Sequence, residues 1–569
     1  MEDFEDIEIT QDMLTQIENI EINLLDKSLN LSSDDEESIQ PSRSRCARRL
    51  RIPSSSEGSD AEIGRAIQDL ETCSSSNWTT PKGNQRNIIP FTECCGMPAS
   101  IRTSMINKSP ADFYALLVTD NILEHIVKCT NAFAITKITH TTALKNARIR
   151  SWSETNLDEM KHFFCLILYM GLVKLPKIAD YWSKDEIMGQ NFPRTVMARN
   201  RFELLLQMIH FSQDDENNKS DRLHRVKHLL DVMNDNFKSN YIPGQDICID
   251  ESMVPFRGRL VFRQYNKQKR HKYGIKLFKL CTLPGYTYRI NIYAGKQHEH
   301  INVTPQRVVM NLCQDLLNKG HCIYTDNWYT SVGLARELLK NETHLIGTLR
   351  KNRKHFPKVV VTTKLKKGQF IARESDDGIT VLRWRDKRDV LVLSTKHSTR
   401  FVSVTKHNKT IMKPSIVVDY NKAKGAVDLS DQMAAYQTPL RKTVKWYKKI
   451  AFDLILNIAI VNALVLYKTV TNKHIPIVDL RKEILKSFLA KSSTSTTPSE
   501  RTIRKKHILQ KKEGPSLKVR RMCVVCYKNN VITFGRALAR NKTKKVPTFC
   551  DTCVDKPFLC VECFANVHA

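Results

Sequence analysis

The chain has no basic amino-terminal run leading into an apolar stretch. It begins MEDFEDIEIT, which is acidic and does not read as a signal peptide, so a secreted protein is not expected. An uninterrupted apolar span is also missing. The most hydrophobic run, residues 450–467, is broken by Asp453, Asn457 and Asn462. A bilayer span needs about 20 nearly uncharged residues, and polar groups recurring at helical spacing suit a buried helix instead. No membrane partner is expected. The sixteen cysteines do not form a disulfide framework: ten are scattered, and six fall in pairs within the last 47 residues. That is a metal-binding pattern suited to a reducing compartment. No internal repeat is visible.

Acidic charge is in short supply. Asp and Glu total 59 against 90 Lys and Arg, a net charge of +31 over 569 residues. The first forty residues hold thirteen acids and one lysine, so the other 529 carry +43. A surplus of that size points to a polyanion, nucleic acid first, with an anionic membrane surface as the rival. Hydrophobic residues make up 41%, enough for a large core, and the length suggests several domains at about 150 residues each.

Texture divides the chain. Residues 1–105, with SSDDEES and SSSEGSD, are polar and are expected to be disordered. Residues 106–245 show apolar positions at three- and four-residue intervals, as in DEMKHFFCLILYMGLV and RNRFELLLQMIHF, and predict core helices. From 246 to 352 strands alternate with helices: DICID, KLFKLCTL, YTYRINIYAG, HCIYTD and THLIGTL read as strands. Residues 353–414 are basic and strand-like, residues 415–438 carry KGAVDLSDQM, and 439–491 are helical again. A Ser/Thr linker with a basic run (492–521) leads to the cysteine-rich end (522–569). The fold class is mixed α/β.

Three acidic positions stand out. Asp250 ends DICID, Asp326 ends HCIYTD, and Asp428 and Asp431 lie three apart, on one helical face. Phosphodiester chemistry needs an activated nucleophile and a stabilised leaving oxygen, which two Mg²⁺ ions about 3.5–4 Å apart supply. Magnesium takes oxygen ligands, so carboxylates from separate elements would converge on it. Taken singly, an Asp at a strand end can be a turn former. Together, on a strongly basic chain, the set favours an RNase H-like nuclease core.

These residues sit in blocks that resemble the piggyBac transposases and their domesticated relatives, across roughly residues 105–569: IDESMVPFRGR, KYGIKL, YTDNWYTSVGLA, GTLRKNRKHFP, VDYNKAKGAVDLSDQM and RKTVKWYKKIAFDLILNIAIVNA. The resemblance implies catalytic aspartates at Asp250, Asp326 and Asp428, with Asp431 as an additional acid, holding Mg²⁺ or Mn²⁺. It implies a 3′ nick, a hairpin on the element end and integration at TTAA. It further implies an RNase H-like core (246–352 and 415–438), a β-rich insertion (353–414), and a split helical domain (106–245 and 439–491) that dimerises and binds double-stranded DNA.

Basic residues with interleaved aromatics are the candidate DNA contacts: Arg257, Arg259, Lys272, Arg350, Lys351, Arg441, Lys442, Lys445 and Trp446. Cations neutralise phosphates and aromatics stack on unpaired bases; any single lysine could equally belong to a solvated face. Trp328 is expected to pack beside the active site.

At the carboxyl end, Cys523–x₂–Cys526, Cys550–x₂–Cys553 and Cys560–x₂–Cys563 precede His568. Such pairs suit tetrahedral zinc. In a cross-brace, Cys523, Cys526, Cys560 and Cys563 share one Zn²⁺, while Cys550, Cys553 and His568 hold a second. Two sites need eight ligands and these are seven; His507 is a candidate for the last. By spacing alone the module could bind protein, as a RING- or PHD-like domain does, and in the resembling family it binds transposon-end DNA. The basic residues 501–521 suit nuclear localisation.

The expected function is a DNA transposase. The alternative is a transposase-derived DNA-binding or chromatin protein that mobilises nothing. A zinc-dependent ubiquitin ligase or histone reader would account only for the terminal segment.

Overall fold

A computed structural model describes residues 77–82, 87–140, 148–213, 221–267, 271–295, 304–406, 409–490, 507–553 and 555–568. Most of the expected disordered region, the Ser/Thr linker and the start of the basic run lie outside the described residues.

One mixed sheet of ten strands organises the centre. In chain order these are β1 (Trp78–Thr79), β2 (Asp246–Pro255), β3 (Gln264–Tyr265), β4 (Tyr273–Thr282), β5 (Tyr286–Ile292), β6 (Cys322–Thr325), β7 (His344–Thr348), β8 (Phe370–Ser375), β9 (Thr380–Arg385) and β10 (Asp389–Ser394). β4 pairs antiparallel with both β5 and β2, while β2, β6 and β7 run parallel to one another. Helices Pro305–Cys313 and Val332–Lys340 supply the crossovers that parallel pairing requires. Thr304 and Ser331 cap them, each accepting a backbone N–H from the first turn. Ile247, Ile249, Ile323 and Leu345 are wholly buried against these helices.

Residues 353–414, expected as a β-rich insertion, add strands to this sheet: β10 pairs antiparallel with β7, and β9 and β8 extend it outward. Only β11 (Phe401–Lys406) and β12 (Lys409–Pro414) form a hairpin of their own. The end of the expected disordered segment is also ordered. Trp78 and Thr79 pair with Ser375 and Glu374, Gly96 bridges Ile242, and residues Ala99–Met105 form a helix. Phe91 rests against the ring of His321 at 5.0 Å, and Met97 and Met105 are buried. A few apolar anchors and backbone pairing offset the entropy that composition alone predicts to win.

The helical regions on either side of the sheet's sequence share one core. Helices Pro110–Leu117, Leu157–Leu172, His224–Asn240 and Ile477–Leu489 bury Phe113, Phe163, Phe164 and Phe237 with the apolar residues of one long helix, α1 (Trp446–Thr471). α1 is long and apolar enough to cross a membrane, yet 78% of its most apolar window is buried inside the protein. Its polar residues do specific work. Asn462 accepts from the Thr287 N–H and donates to the Thr287 carbonyl, both at 2.8 Å, tying α1 to β5. Asn457 donates to Asp453 at a π-helical turn, Leu454–Ile458, and accepts from buried Arg481. These contacts satisfy groups that burial would otherwise penalise.

Candidate active site

β2 is buried on both faces, and residues 248, 250 and 252 share one of them. A helix, α2 (Ala426–Ala435), lies across that face. At one end the Cys248 thiol donates to the Lys424 carbonyl at 3.1 Å and packs with Ala426 and Val427. At the other end Ser252 Oγ donates to Asp431 Oδ1 at 2.9 Å. Asp250 therefore lies midway, beside the stretch of α2 that carries Asp428. The electrostatics agree: burial first, then Asp250 and Asp428 among its neighbours, push the Cys248 thiol well up.

Asp326 arrives from the other side. The parallel register pairs Ile249 with Thr325, the last pair of that ladder, and Asp250 and Asp326 are the residues that follow it in the two segments. Asp326 Oδ1 accepts from the Trp328 N–H at 2.9 Å and its carbonyl from the Thr330 N–H at 3.1 Å. It is thus a turn former as well as a neighbour of Asp250. Burial, with Glu251 adding to it, raises its carboxyl above the usual range, against the pull of backbone donors and Arg350. The Tyr420 phenol, pushed to about 12 mainly by burial, also senses both Asp326 and Asp250.

Asp431 is differently placed. Its Oδ1 sits 2.7 Å from Lys279 Nζ, an almost wholly buried ammonium. Lys279 is also the cross-strand partner of Asp250. Burial acts to lower the Lys279 pKa, but Asp431, Cys281 and Asp453 outweigh it and the lysine is raised. Asp431 thus anchors α2 to the sheet. Among the described residues, no carboxylate set closes to the mutual 4.8 Å reached by the cysteine groups.

Around these acids, Glu251 pairs with Lys276, whose ammonium lies 4.6 Å from the Trp328 ring and 4.9 Å from Phe278. Trp328 stacks on Phe278 at 5.9 Å, the packing role expected of it. Arg350 Nε donates to Asn327 Oδ1 at 3.0 Å, which puts this expected DNA contact beside Asp326. Lys351, 60% exposed, reaches Asp389 at 3.6 Å on the next strand.

The basic motifs partly converge. Arg257, Lys272 and Lys442 line one groove of about 1160 Å³ together with Tyr273, although they come from three separate blocks. Arg263 braces it, donating to the Arg257 and Gly258 carbonyls and lying over the Tyr273 ring at 5.1 Å. Arg259 is exposed on the same loop. Two expected DNA contacts also make contacts within the protein. Arg441 donates to the Leu175 carbonyl and to Tyr181 Oη, each at 2.7 Å, and lies over the Tyr181 ring. Trp446 packs edge-on against Phe262 at 5.2 Å and is half-buried. Lys445 is exposed at a second cavity beside the groove.

The terminal cysteines assemble. Cys523, Cys526, Cys560 and Cys563 form one group and His507, Cys550 and Cys553 another, each with ligand atoms within 4.8 Å of one another. Sulfur separations in the first are 3.4–3.9 Å. A tetrahedron with Zn–S near 2.3 Å has edges of about 3.8 Å. In the second, His507 Nδ1 lies 3.3 Å from Cys550 Sγ and 3.4 Å from Cys553 Sγ. The pairs interleave as a cross-brace requires. His507 joins Cys550 and Cys553; His568 lies in the last helix, Val561–His568, and its side chain is outside the described residues.

Comparison with known proteins accords with this arrangement. The family described as Transposase IS4 matches residues 109–464. The chain belongs to the piggyBac-type transposase family. It is 24% identical to human piggyBac transposable element-derived protein 3 over 454 residues, covering 74% of this chain and 73% of the relative. Human piggyBac transposable element-derived protein 2 is 24% identical over 421 residues, covering 70% and 68%. Among solved structures, a cryo-EM structure of a piggyBac transposase synaptic complex with hairpin DNA superposes with a TM-score of 0.61 at 26% identity. It spans 70% of this chain and 83% of that one.

Proposed function

We propose that this member of the piggyBac family is a metal-dependent DNA-cutting and DNA-joining enzyme, with Asp250, Asp326 and Asp428 as its catalytic carboxylates. The observation that carries this reading is the register that sets Asp326 beside Asp250, with the Asp428 helix pinned across the same strand. The strand order β5-β4-β2-β6-β7, antiparallel in its first three members and parallel in its last two, supports an RNase H-like core.

The three carboxylates suit Mg²⁺ or Mn²⁺, which when bound would supply an activated hydroxyl and a stabilised leaving oxygen. The chain's own residues do the rest. Lys279 holds Asp431 and so fixes the helix that presents Asp428. Arg257, Lys272 and Lys442 neutralise the backbone of a duplex in their groove, while Arg350 sits where the strand reaches Asp326. The hairpin, TTAA integration, dimerisation and nuclear residence belong to this reading by family. So does Zn²⁺ in the cysteine domain, whose sulfur spacing suits it.

The second reading is a transposase-derived DNA-binding protein that cuts nothing. The names of its human relatives favour it, and the retained aspartates oppose it. The deciding measurement is Mg²⁺-dependent nicking of DNA carrying candidate element ends, with Asp250→Asn, Asp326→Asn and Asp428→Asn as separate variants. Each should lose at least about a thousandfold in rate, in line with loss of a dominant electrostatic element, while retaining DNA affinity. Variants that nick at the unmodified rate would remove these residues from the chemistry.

A further inference from the structure

A cavity of about 360 Å³ opens in the helical part of the molecule, outside the aspartate site. Its walls include the apolar side chains of Ile178, Leu206, Leu440 and Phe452, all half-buried and so accessible from the cavity. Its polar character has one sign. Lys137, Lys442, Lys445 and Lys448 contribute to the lining, and no described lining residue is acidic. Lys448 is 6% exposed and donates to two neutral acceptors, the carbonyls of Leu206 at 2.7 Å and Gln207 at 3.0 Å. A buried ammonium among other cations is costly unless an anion answers it.

The cavity adjoins the basic groove. Leu440, Lys442, Thr443 and Lys449 line both, so a strand lying along Arg257, Lys272 and Lys442 passes its mouth. Size and chemistry then select an occupant. Small-molecule pockets start near 300 Å³, and this one pairs an apolar interior holding two aromatic rings, Phe202 and the more accessible Phe452, with a cationic rim. A nucleotide has that division: a flat base that stacks on Phe452, and a phosphate for the lysines.

We propose that this cavity receives a base unstacked from the DNA strand held in the neighbouring groove. The inference rests on the DNA-binding reading of that groove. It adds a site at which the helical domain would hold a distorted strand, with Phe452 offering to the base what its edge-on contacts with Phe164 and Phe211 leave uncovered. Unstacking costs least at mismatched or single-stranded positions, so nicked, gapped or hairpinned DNA should use the site more than intact duplex.

The test uses the full chain and short gapped duplexes carrying 5-iodouracil at one unpaired position, moved along the strand from one duplex to the next. Binding is followed by fluorescence anisotropy, and long-wavelength irradiation is followed by peptide mass spectrometry. A duplex that binds and gives an adduct at Phe452 from a narrow set of positions supports the inference. Ile178→Trp, which fills the cavity, should lower adduct yield about tenfold, the worth of one stacking contact, with anisotropy little changed. Should that variant misfold, Lys445→Glu at the exposed mouth should still lower the yield. Tight duplex binding with no adduct in the cavity at any position overturns the inference and leaves the groove reading intact. An adduct with free 5-iododeoxyuridine monophosphate but not with bound DNA also overturns it. Failure of any duplex to bind would sink the groove reading itself, and this inference with it.

Discussion

Lys279 and Asp431 meet at 2.7 Å, the lysine almost wholly buried and the aspartate about one-third exposed along its side chain. The pair fastens the helix carrying Asp428 to the strand next to Asp250, and the two partners differ in how far water can reach them.

That asymmetry makes the pair's mutants unequal. Removing the aspartate leaves a buried ammonium without its nearest counter-charge, whereas removing the lysine leaves Asp431 to partial solvation and Asp453, whose carboxyl burial already raises, able to take up a proton. Asp431→Asn should therefore cost about 3 kcal/mol, the scale for a stranded buried charge, and Lys279→Met about 1 kcal/mol. Urea midpoints of the two variants measure this directly. The reverse order would show that Lys279 finds adequate solvation elsewhere in the site.

The groove and the Arg441 cluster predict different salt behaviour. Lys442 faces the groove, so Lys442→Ala should weaken DNA binding and flatten the dependence of log K on log salt by about 0.9, one phosphate contact. Arg441 is spent on Tyr181 and the Leu175 carbonyl. Arg441→Ala should lower stability by about 1–3 kcal/mol, as loss of charged hydrogen bonds does, and leave the salt slope unchanged. Equal slopes for both variants would put Lys442 outside the DNA path.

The cysteine domain should carry two zinc ions per chain, countable by elemental analysis of the purified protein. Cys526→Ser should lose the ion shared with Cys523, Cys560 and Cys563, and His507→Ala the ion shared with Cys550 and Cys553. Because structural zinc contributes folding energy outright, either loss should expose that domain to protease. Full zinc content in His507→Ala would remove His507 from the second set.

Much of this was legible in the sequence, and the exceptions have physical reasons. DICID and HCIYTD announce strands ending in aspartate, and paired cysteines announce their metal because chelate spacing is local. Lys279 was not legible. In KLFKLCTL it resembles a solvent-facing cation, and only the packing of α2 on that face buries it. Nor was the pairing of β10 with β7, since periodicity reports which face of a strand is apolar and says nothing of which strand lies alongside. Arg441 and Trp446 sit in a run dense with cations, where spacing cannot separate a side chain pointing at Tyr181 or Phe262 from one pointing at solvent. Residues 77–105 were assigned by composition, which misses a few well-placed anchors such as Trp78 and Met105.

Lys448 gives the last prediction. Burial, then the charges of Lys445 and Lys137, lower its pKa from 10.5 to about 7. Between those values the unfolded chain binds a proton there that the folded chain does not. The folded state is therefore disfavoured at the lower end, and stability rises with pH across the window. The slope from this one group is up to about 1.4 kcal/mol per pH unit. Below about 7 both states are protonated and the contribution becomes constant. Lys448→Met abolishes the group, so the stability difference between variant and unmodified protein should shrink or reverse as pH rises from neutral towards 10. Denaturant melts of both proteins at several pH values in that interval read the difference. A constant difference would mean that Lys448 keeps an ordinary pKa, which in this cavity requires an anion already beside it.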